Sequence, residues 1–394
     1  MGEVLEQFFI FVGLLVCLVY LVKCVRFSKC IFLRFWKVLP RSFLKSMGQW
    51  AVITGAGAGI GKAYSFELAR QGLNVVLISR TLEKLQATAT EIERTTGSSV
   101  KIIQTDFTKD DIYEDIKEKL KGLEIGILVN NVGMLPDLLP RHFLNSPDEI
   151  QSLIHCNITS VVKMTQLILK QMESRQKGLI LNISSGVALF PWPIYSLYSA
   201  SKAFMRTFSK ALQAEYKAKG IIIQVLTPYA VSTPMTKYLK TNMITKTADE
   251  FAKESLNYVT IGDETCGCLV HEILASFLGH IPPWVFHSGA FRKLLLACYV
   301  DYLRRNAALG PPRGAARAAG VAPSAVAAED RAARPPGGPP EPEGPCHRST
   351  LGGVGGGVCQ LAVAKTASPG GHVLEALPTL VHASFLRRSP SFMV

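Results

Sequence analysis

The chain has 394 residues, of which 48% are hydrophobic and 19% charged, a composition that supplies a core and excludes a disordered or collagen-like protein. Its net charge of +13 lies mostly at the two ends: residues 1–47 carry seven Lys/Arg against two acids, residues 304–394 carry ten against five, and residues 48–303 are left at +3. A nucleic-acid-binding domain concentrates basic charge on a folded face, so no nucleic-acid partner is expected.

In chain order, the first predicted element is a membrane segment. Residues 8–22 read FFIFVGLLVCLVYLV without a charge. With Val4, Leu5, Cys24 and Val25 the run reaches the length that a bilayer requires. A cleavable signal peptide places its cations ahead of the apolar run. Here Glu3 and Glu6 precede it, and Lys23, Arg26, Lys29, Arg34, Lys37, Arg41 and Lys45 follow. This order predicts an uncleaved anchor with everything beyond residue 25 in the cytosol. The stretch CIFLRFWKVLPRSFL, residues 30–44, mixes aromatics with cations and suits a membrane surface. A buried N-terminal helix of a soluble protein is the competing reading. We assign residues 1–47 to the anchor and its basic juxtamembrane segment.

From Gly48 apolar runs alternate with stretches of helical length. Strands are predicted at 49–55, 73–79, 99–106, 125–131, 178–184 and 221–228, and helices at Lys62–Gln71, Thr81–Thr95, Asp110–Lys121, Pro147–Glu173 and Tyr198–Lys217. Nearly continuous apolar strands are those of a parallel sheet covered on both faces, and the alternation predicts a doubly wound parallel α/β domain over 48–303. Its last part, 234–303, reads as helical and aromatic, broken at Gly279 and at Ile281-Pro282-Pro283. Beyond it, 42 of the 89 residues from Asn306 to Val394 are Gly, Pro or Ala. Such a composition sustains neither helix nor strand, so the 304–394 tail is expected to be disordered.

Three motifs carry chemistry. Thr54-Gly55-Ala56-Gly57-Ala58-Gly59-Ile60-Gly61 joins a strand to a helix; its glycines would let the backbone approach a dinucleotide pyrophosphate at the helix N-terminus. At the end of the second strand, where an acid would hold the ribose hydroxyl of NAD, stands Arg80, whose guanidinium suits a 2′-phosphate. Tyr198 and Lys202 lie four apart on a predicted helix and therefore share a face. A cation beside the phenol is expected to lower its pKa. Ser184-Ser185, at the end of a strand just upstream, offers a hydroxyl to a carbonyl oxygen. The eight histidines show no HxxH or HExxH spacing, so no metal is expected. The nine cysteines are an odd count without CxxC pairs and read as reduced thiols in a cytosol-facing protein.

Together these motifs resemble the short-chain dehydrogenase/reductase family, with the Rossmann fold. Its pattern is matched by TGAGAGIG, Asp106 after the third strand, Asn130-Asn131-Val132-Gly133 after the fourth, Asn157, Ser185, Tyr198, Lys202 and the segment PYAVST at 228–233. Tyr229 in that segment departs from the family's usual glycine and puts the loop over the nicotinamide in doubt. The apolar N-terminus, GQWAVITGAG, Arg80 and LFPWPIYSLYSASKAF further resemble the membrane-bound 17-beta-hydroxysteroid dehydrogenase group.

The resemblance implies NADPH/NADP as cofactor, held by Thr54, Gly55, Gly57, Gly59, Ile60, Gly61, Arg80, Asp106, Asn131, Tyr198, Lys202, Val231 and Thr233. It implies Tyr198 as general acid, Lys202 lowering its pKa and binding the nicotinamide ribose, Ser185 on the substrate oxygen, and Asn157 holding a water that links Lys202 to solvent. Substrate would meet Ser185, Tyr198 and Tyr195; Phe190, Pro191 and Trp192 are either further walls or core packing. The reaction implied is reduction of 17-ketosteroids, androstenedione to testosterone, in the endoplasmic reticulum membrane with the catalytic domain facing the cytosol. Reduction of very-long-chain 3-oxoacyl-CoA is the alternative, and a non-catalytic or misfolding-prone product with a divergent tail is the reading from another class. A homodimer stays open.

Overall fold

The computed structural model describes residues 2–36, 40–135, 142–145, 149–294 and 296–297, and the expected 304–394 tail lies outside these described residues. The first helix, α1 (Gly2–Trp36), contains a stretch, Gly2–Val25, long and apolar enough to cross a membrane. None of that stretch is buried. The competing reading, a helix buried in a soluble core, is thereby set aside. The short α2 (Arg41–Ser46) follows, and its Leu44 and the Met47 that ends it are buried in the core. The end of the 30–44 segment therefore packs on protein, and the folded domain takes in side chains from before residue 48.

Six strands fall inside the predicted windows: β1 (Trp50–Thr54), β2 (Asn74–Ser79), β3 (Val100–Gln104), β4 (Ile125–Asn130), β5 (Gly178–Ile183) and β6 (Ile221–Leu226). Three two-residue strands were not expected: β7 (Val231–Ser232) pairs with β8 (Lys246–Thr247), and β9 (Glu264–Thr265) adds to the edge beside β6. The main sheet is parallel, in the order β3-β2-β1-β4-β5-β6-β9.

The helices are α3 (Gly59–Arg70), α4 (Leu82–Thr96), α5 (Tyr113–Leu120), α6 (Ile150–Ile154), α7 (Ser160–Arg175), α8 (Ser196–Tyr216), α9 (Ala248–Leu256), α10 (Leu269–Leu278) and α11 (Pro283–His287). They cover both sheet faces, and strand alternation assigns the side chains. Ala51, Ile53, Val75, Leu77, Ile127 and Val129 pack with Leu68 of α3 and Phe251 of α9. Val52, Val76, Ile78 and Leu128 pack with Ile116 of α5 and Met164, Ile168 and Met172 of α7. This doubly buried sheet explains why its strands read as continuous apolar runs. Strand order reverses between β1 and β4, and the crevice at their carboxyl ends is where such sheets bind ligands.

Candidate active site

The glycine loop leaves β1 at that crevice. Gly55 has a φ of +67°, a left-handed conformation that other residues rarely adopt. A Cβ there would also stand 2.8 Å from the Asn131 amide nitrogen. At Gly61 a Cβ would overlap the Gly55 carbonyl, so the loop closes tightly on itself. The Thr54 hydroxyl accepts from the Asn131 and Val132 amides, both at 3.0 Å, and Asn131 Nδ2 donates to the Thr54 carbonyl at 3.0 Å. Thr54 and Asn131 thus clamp the ends of β1 and β4, a structural use of groups expected to face a cofactor. Ala58 caps α3 without a side-chain acceptor, which leaves the first-turn amides of Gly59, Ile60 and Gly61 to an anion. A Cβ on Gly59 would lie 3.2 Å from that of Thr233. Thr233 therefore flanks the loop from the segment that follows β6, in which Val231 is also buried.

Arg80 follows β2 and is exposed, and with Thr81, Leu82, Glu83, Gln104, Thr105 and Asp106 it lines a cleft of about 590 Å³. The Asp106 carboxylate accepts from the Thr108 amide at 3.0 Å, which fixes the turn after β3. Uncapped helix amides, a glycine cradle that a Cβ would fill and a guanidinium at the cleft fit a phosphorylated dinucleotide such as NADPH.

The reactive cluster lies where α8 begins. Tyr198 and Lys202 are both 4% exposed, and Ser185 and Asn157 still less. The Ser185 hydroxyl lies near enough to the Tyr198 phenol to act on it electrostatically. Lys202 Nζ donates to the Ile183 carbonyl at 3.1 Å and stands 5.8 Å from the centroid of the Tyr198 ring. The serine pair separates into two jobs: the Ser184 hydroxyl donates to the Lys202 carbonyl at 2.8 Å, so only Ser185 faces Tyr198. Asn157 sits on a π turn, His155–Thr159, between α6 and α7, an irregularity that often marks functional positions. Its Oδ1 accepts from the Met134 amide at 2.8 Å, and its Nδ2 donates to the Met134 carbonyl and the Ser201 hydroxyl, both at 3.0 Å. Ser201 in turn donates to the Tyr198 carbonyl at 2.7 Å, which ties the π turn to the helix bearing Tyr198 and Lys202. A Cβ at Gly133 would lie 3.4 Å from Lys202 Nζ and 3.5 Å from Asn157 Oδ1, so both atoms face one gap.

The electrostatics differ from the expectation. Burial pushes the Tyr198 phenol well above its usual range, and the group that opposes this is Ser185 rather than Lys202. Burial also brings Lys202 down to about 8. The reason is desolvation: each group loses water around its charged form.

The segment between Ser185 and Tyr198 carries the apolar walls. Phe190 stacks on Phe286 of α11 with ring centroids 5.0 Å apart, and Trp192 lies 6.3 Å from Phe286 and 6.2 Å from Phe291. Tyr195 is half-buried at the N-cap of α8. Ile194 holds a φ of +66°, a strained conformation for a β-branched residue. A Cβ at Gly186 would stand 2.6 Å from the Tyr229 ring, so Tyr229 fills the space against Gly186, next in the chain to Ser185. Trp192 Nε1 and the Tyr229 hydroxyl are buried without a hydrogen-bond partner among the described residues.

The family model "short chain dehydrogenase" matches residues 49–244. The chain is 82% identical over 306 residues to 17-beta-hydroxysteroid dehydrogenase type 3 of Homo sapiens, covering 78% of this chain and 99% of that one. The chain belongs to the short-chain dehydrogenase family. It is an oxidoreductase, built on that family's sheet. A more distant relative, the very-long-chain 3-oxoacyl-CoA reductase of Macaca fascicularis, is 42% identical over 73% of this chain and 92% of its own. Among solved structures, a short-chain dehydrogenase from Sphingobium yanoikuyae in complex with NADPH matches with a TM-score of 0.51 and 29% identity, over 55% of this chain and 86% of that chain.

Several residues around this dehydrogenase's site carry no signal of their role in the sequence. Ser201 lies inside the Tyr198–Lys202 motif, where its polar side chain was visible but its partner was not. Arg206 and Lys210 continue the four-residue spacing of Tyr198 and Lys202 along α8, and both pair with Glu264 on β9. The upper half of that helix face enters the site and the lower half fastens to the sheet edge. Phe286 and Phe291, far along the chain, complete the aromatic wall.

Proposed function

We propose that the protein is an NADPH-dependent 17-beta-hydroxysteroid dehydrogenase that reduces 17-ketosteroids, androstenedione to testosterone, at the endoplasmic reticulum membrane with its catalytic domain in the cytosol. The observation that carries the reading is the buried Ser185–Tyr198 pair beside Lys202 at the carboxyl ends of the strands. The steroid assignment rests on 82% identity to the human type 3 enzyme, against 42% to the acyl-CoA reductase.

NADPH, when bound, supplies the hydride. The α3 amides and Gly55, Gly57 and Gly59 would hold its pyrophosphate, Arg80 its 2′-phosphate, and Asp106, Val231 and Thr233 its flanks. Ser185 and Tyr198 donate hydrogen bonds to the substrate carbonyl oxygen, where negative charge grows, and these bonds strengthen as it does. Because burial keeps the phenol protonated, Tyr198 has a proton to give. Lys202, as a cation, would hold the cofactor's ribose hydroxyls and steadies the tyrosine as it gives up that proton. Asn157 fixes the π turn against Ser201 and faces the gap beside Lys202, where a water would pass protons inward. Phe190, Trp192 and Tyr195 offer a flat apolar surface to the substrate.

Arg80→Asp tests the cofactor assignment. Charge-assisted hydrogen bonds contribute about 1.5–3 kcal/mol each, which corresponds to a preference for NADPH over NADH of about tenfold or more. The carboxylate should repel the 2′-phosphate and accept from a ribose hydroxyl instead. Measured kcat/KM for both cofactors should therefore shift towards NADH; an unmoved ratio would make Arg80 an ordinary surface residue.

The anchor has its own test. Deleting residues 1–25 should release part of the protein from membranes. A glycosylation acceptor at the extreme N-terminus should be modified, whereas one within 234–303 should not. The reverse pattern would contradict the charge-based topology.

A further inference from the structure

The surface built by α10 and α11 carries an inference that rests on the membrane reading of α1. Ile273 and Phe277, one turn apart on α10, are 49% and 67% exposed, and Trp284 on α11 is 71% exposed. The inner side of α10 is fixed, because His271 is fully buried with Nε2 2.9 Å from the Ile244 carbonyl. Beside it, Glu272 accepts from the Thr265 hydroxyl and the Cys266 amide, both at 2.6 Å. The helix therefore cannot turn its apolar side inward. Single exposed apolar residues are ordinary; several large ones on neighbouring short helices are not.

What covers this face is indicated by α1. His280, two residues past α10, stacks on Tyr20 with ring centroids 5.9 Å apart and planes 14° from parallel. Tyr20 lies five residues before the end of the Gly2–Val25 stretch, about 7 Å of helix rise. A domain touching α1 at that depth holds its α10–α11 turn at the level of the lipid headgroups. The chemistry agrees, since Trp284 and the exposed cations Arg292 and Lys293 are side chains that the interface of an anionic membrane favours. Phe286 of the same α11 turns inward against Phe190, so apolar side chains continue from the outer face to the wall of the site.

We propose that the α10–α11 face is a second membrane contact, with Phe277 and Trp284 inserted into the leaflet from which α1 emerges. The domain is thereby held against the bilayer rather than tethered above it.

The test uses the full chain in phosphatidylcholine–phosphatidylserine vesicles containing a photoactivatable phosphatidylcholine, with lipid adducts located by mass spectrometry. Adducts are expected on peptides containing Phe277 and Trp284 as well as on α1, and Phe277→Ser with Trp284→Ser should remove the first set and leave the second. Adducts confined to α1 in the wild type would overturn this inference while the anchor stands. Adducts on neither would overturn both. Cross-links from the Phe277 and Trp284 peptides to a second copy of the chain, in place of lipid, would also overturn it.

Discussion

Tyr198→Phe is expected to lower turnover by about 100- to 10,000-fold, the usual worth of a positioned general acid, with NADPH binding retained. The substitution keeps the ring that packs beside Lys202 and removes only the hydroxyl that faces Ser185. Cofactor affinity can be read by protein fluorescence and turnover by steroid conversion in the same preparation. A variant that keeps more than about a tenth of wild-type turnover would remove Tyr198 from its role, because general acid catalysis is worth more than that.

Lys202→Met should separate activity from stability. Burial holds the folded-state pKa at about 8, below the lysine reference value, so the unfolded chain binds more protons between roughly pH 8 and 10.5. Wild-type stability accordingly rises with pH across that window, and below it the buried cation costs about 3 kcal/mol. Removing the amine also loses the hydrogen bond to the Ile183 carbonyl, a loss of about 1 kcal/mol. The methionine variant should therefore melt higher than wild type at pH 7, by a margin that shrinks as pH passes 8, vanishes near pH 10 and reverses above it. Its activity should fall about 100-fold or more, as expected when a charge that supports proton transfer is lost. Equal melting temperatures at pH 7 would mean that Lys202 is better solvated than its surroundings indicate. Wild-type activity at saturating substrate should likewise decline above about pH 8, where Lys202 loses its charge.

The six long strands were legible because a sheet buried on both faces leaves no polar alternation to confuse the pattern. The glycine loop, Arg80 and the Tyr198–Lys202 spacing were legible for a related reason: each is local, and its geometry follows from strand–turn–helix or from helical periodicity. Features made by distant partners were not. Nothing in DETCGC, residues 263–268, announces that Glu264 will pair with Arg206 and Lys210 on the helix that carries the reactive tyrosine. The two serines at 184 and 185 look equivalent in sequence; which one faces Tyr198 is decided by the strand end and by Lys202's carbonyl. Tyr229 was noticed only as a departure from a pattern, and its place behind Gly186 needs the β6 loop and β5 together. The expected lowering of the Tyr198 pKa by Lys202 went astray for a physical reason. Helical spacing puts the two groups on one face but says nothing of how deeply the site is buried, and burial dominates both groups.

The most direct test of ketosteroid reduction is NADPH oxidation by membranes expressing the full chain, offered androstenedione and a very-long-chain 3-oxoacyl-CoA side by side. The predicted result is oxidation dependent on androstenedione, with testosterone formed in equal amount, little response to the acyl-CoA, and loss of both signals in the Tyr198→Phe variant. Oxidation driven by the acyl-CoA instead would contradict the steroid assignment, and no oxidation with either carbonyl by a chain that still binds NADPH would contradict the reductase reading itself.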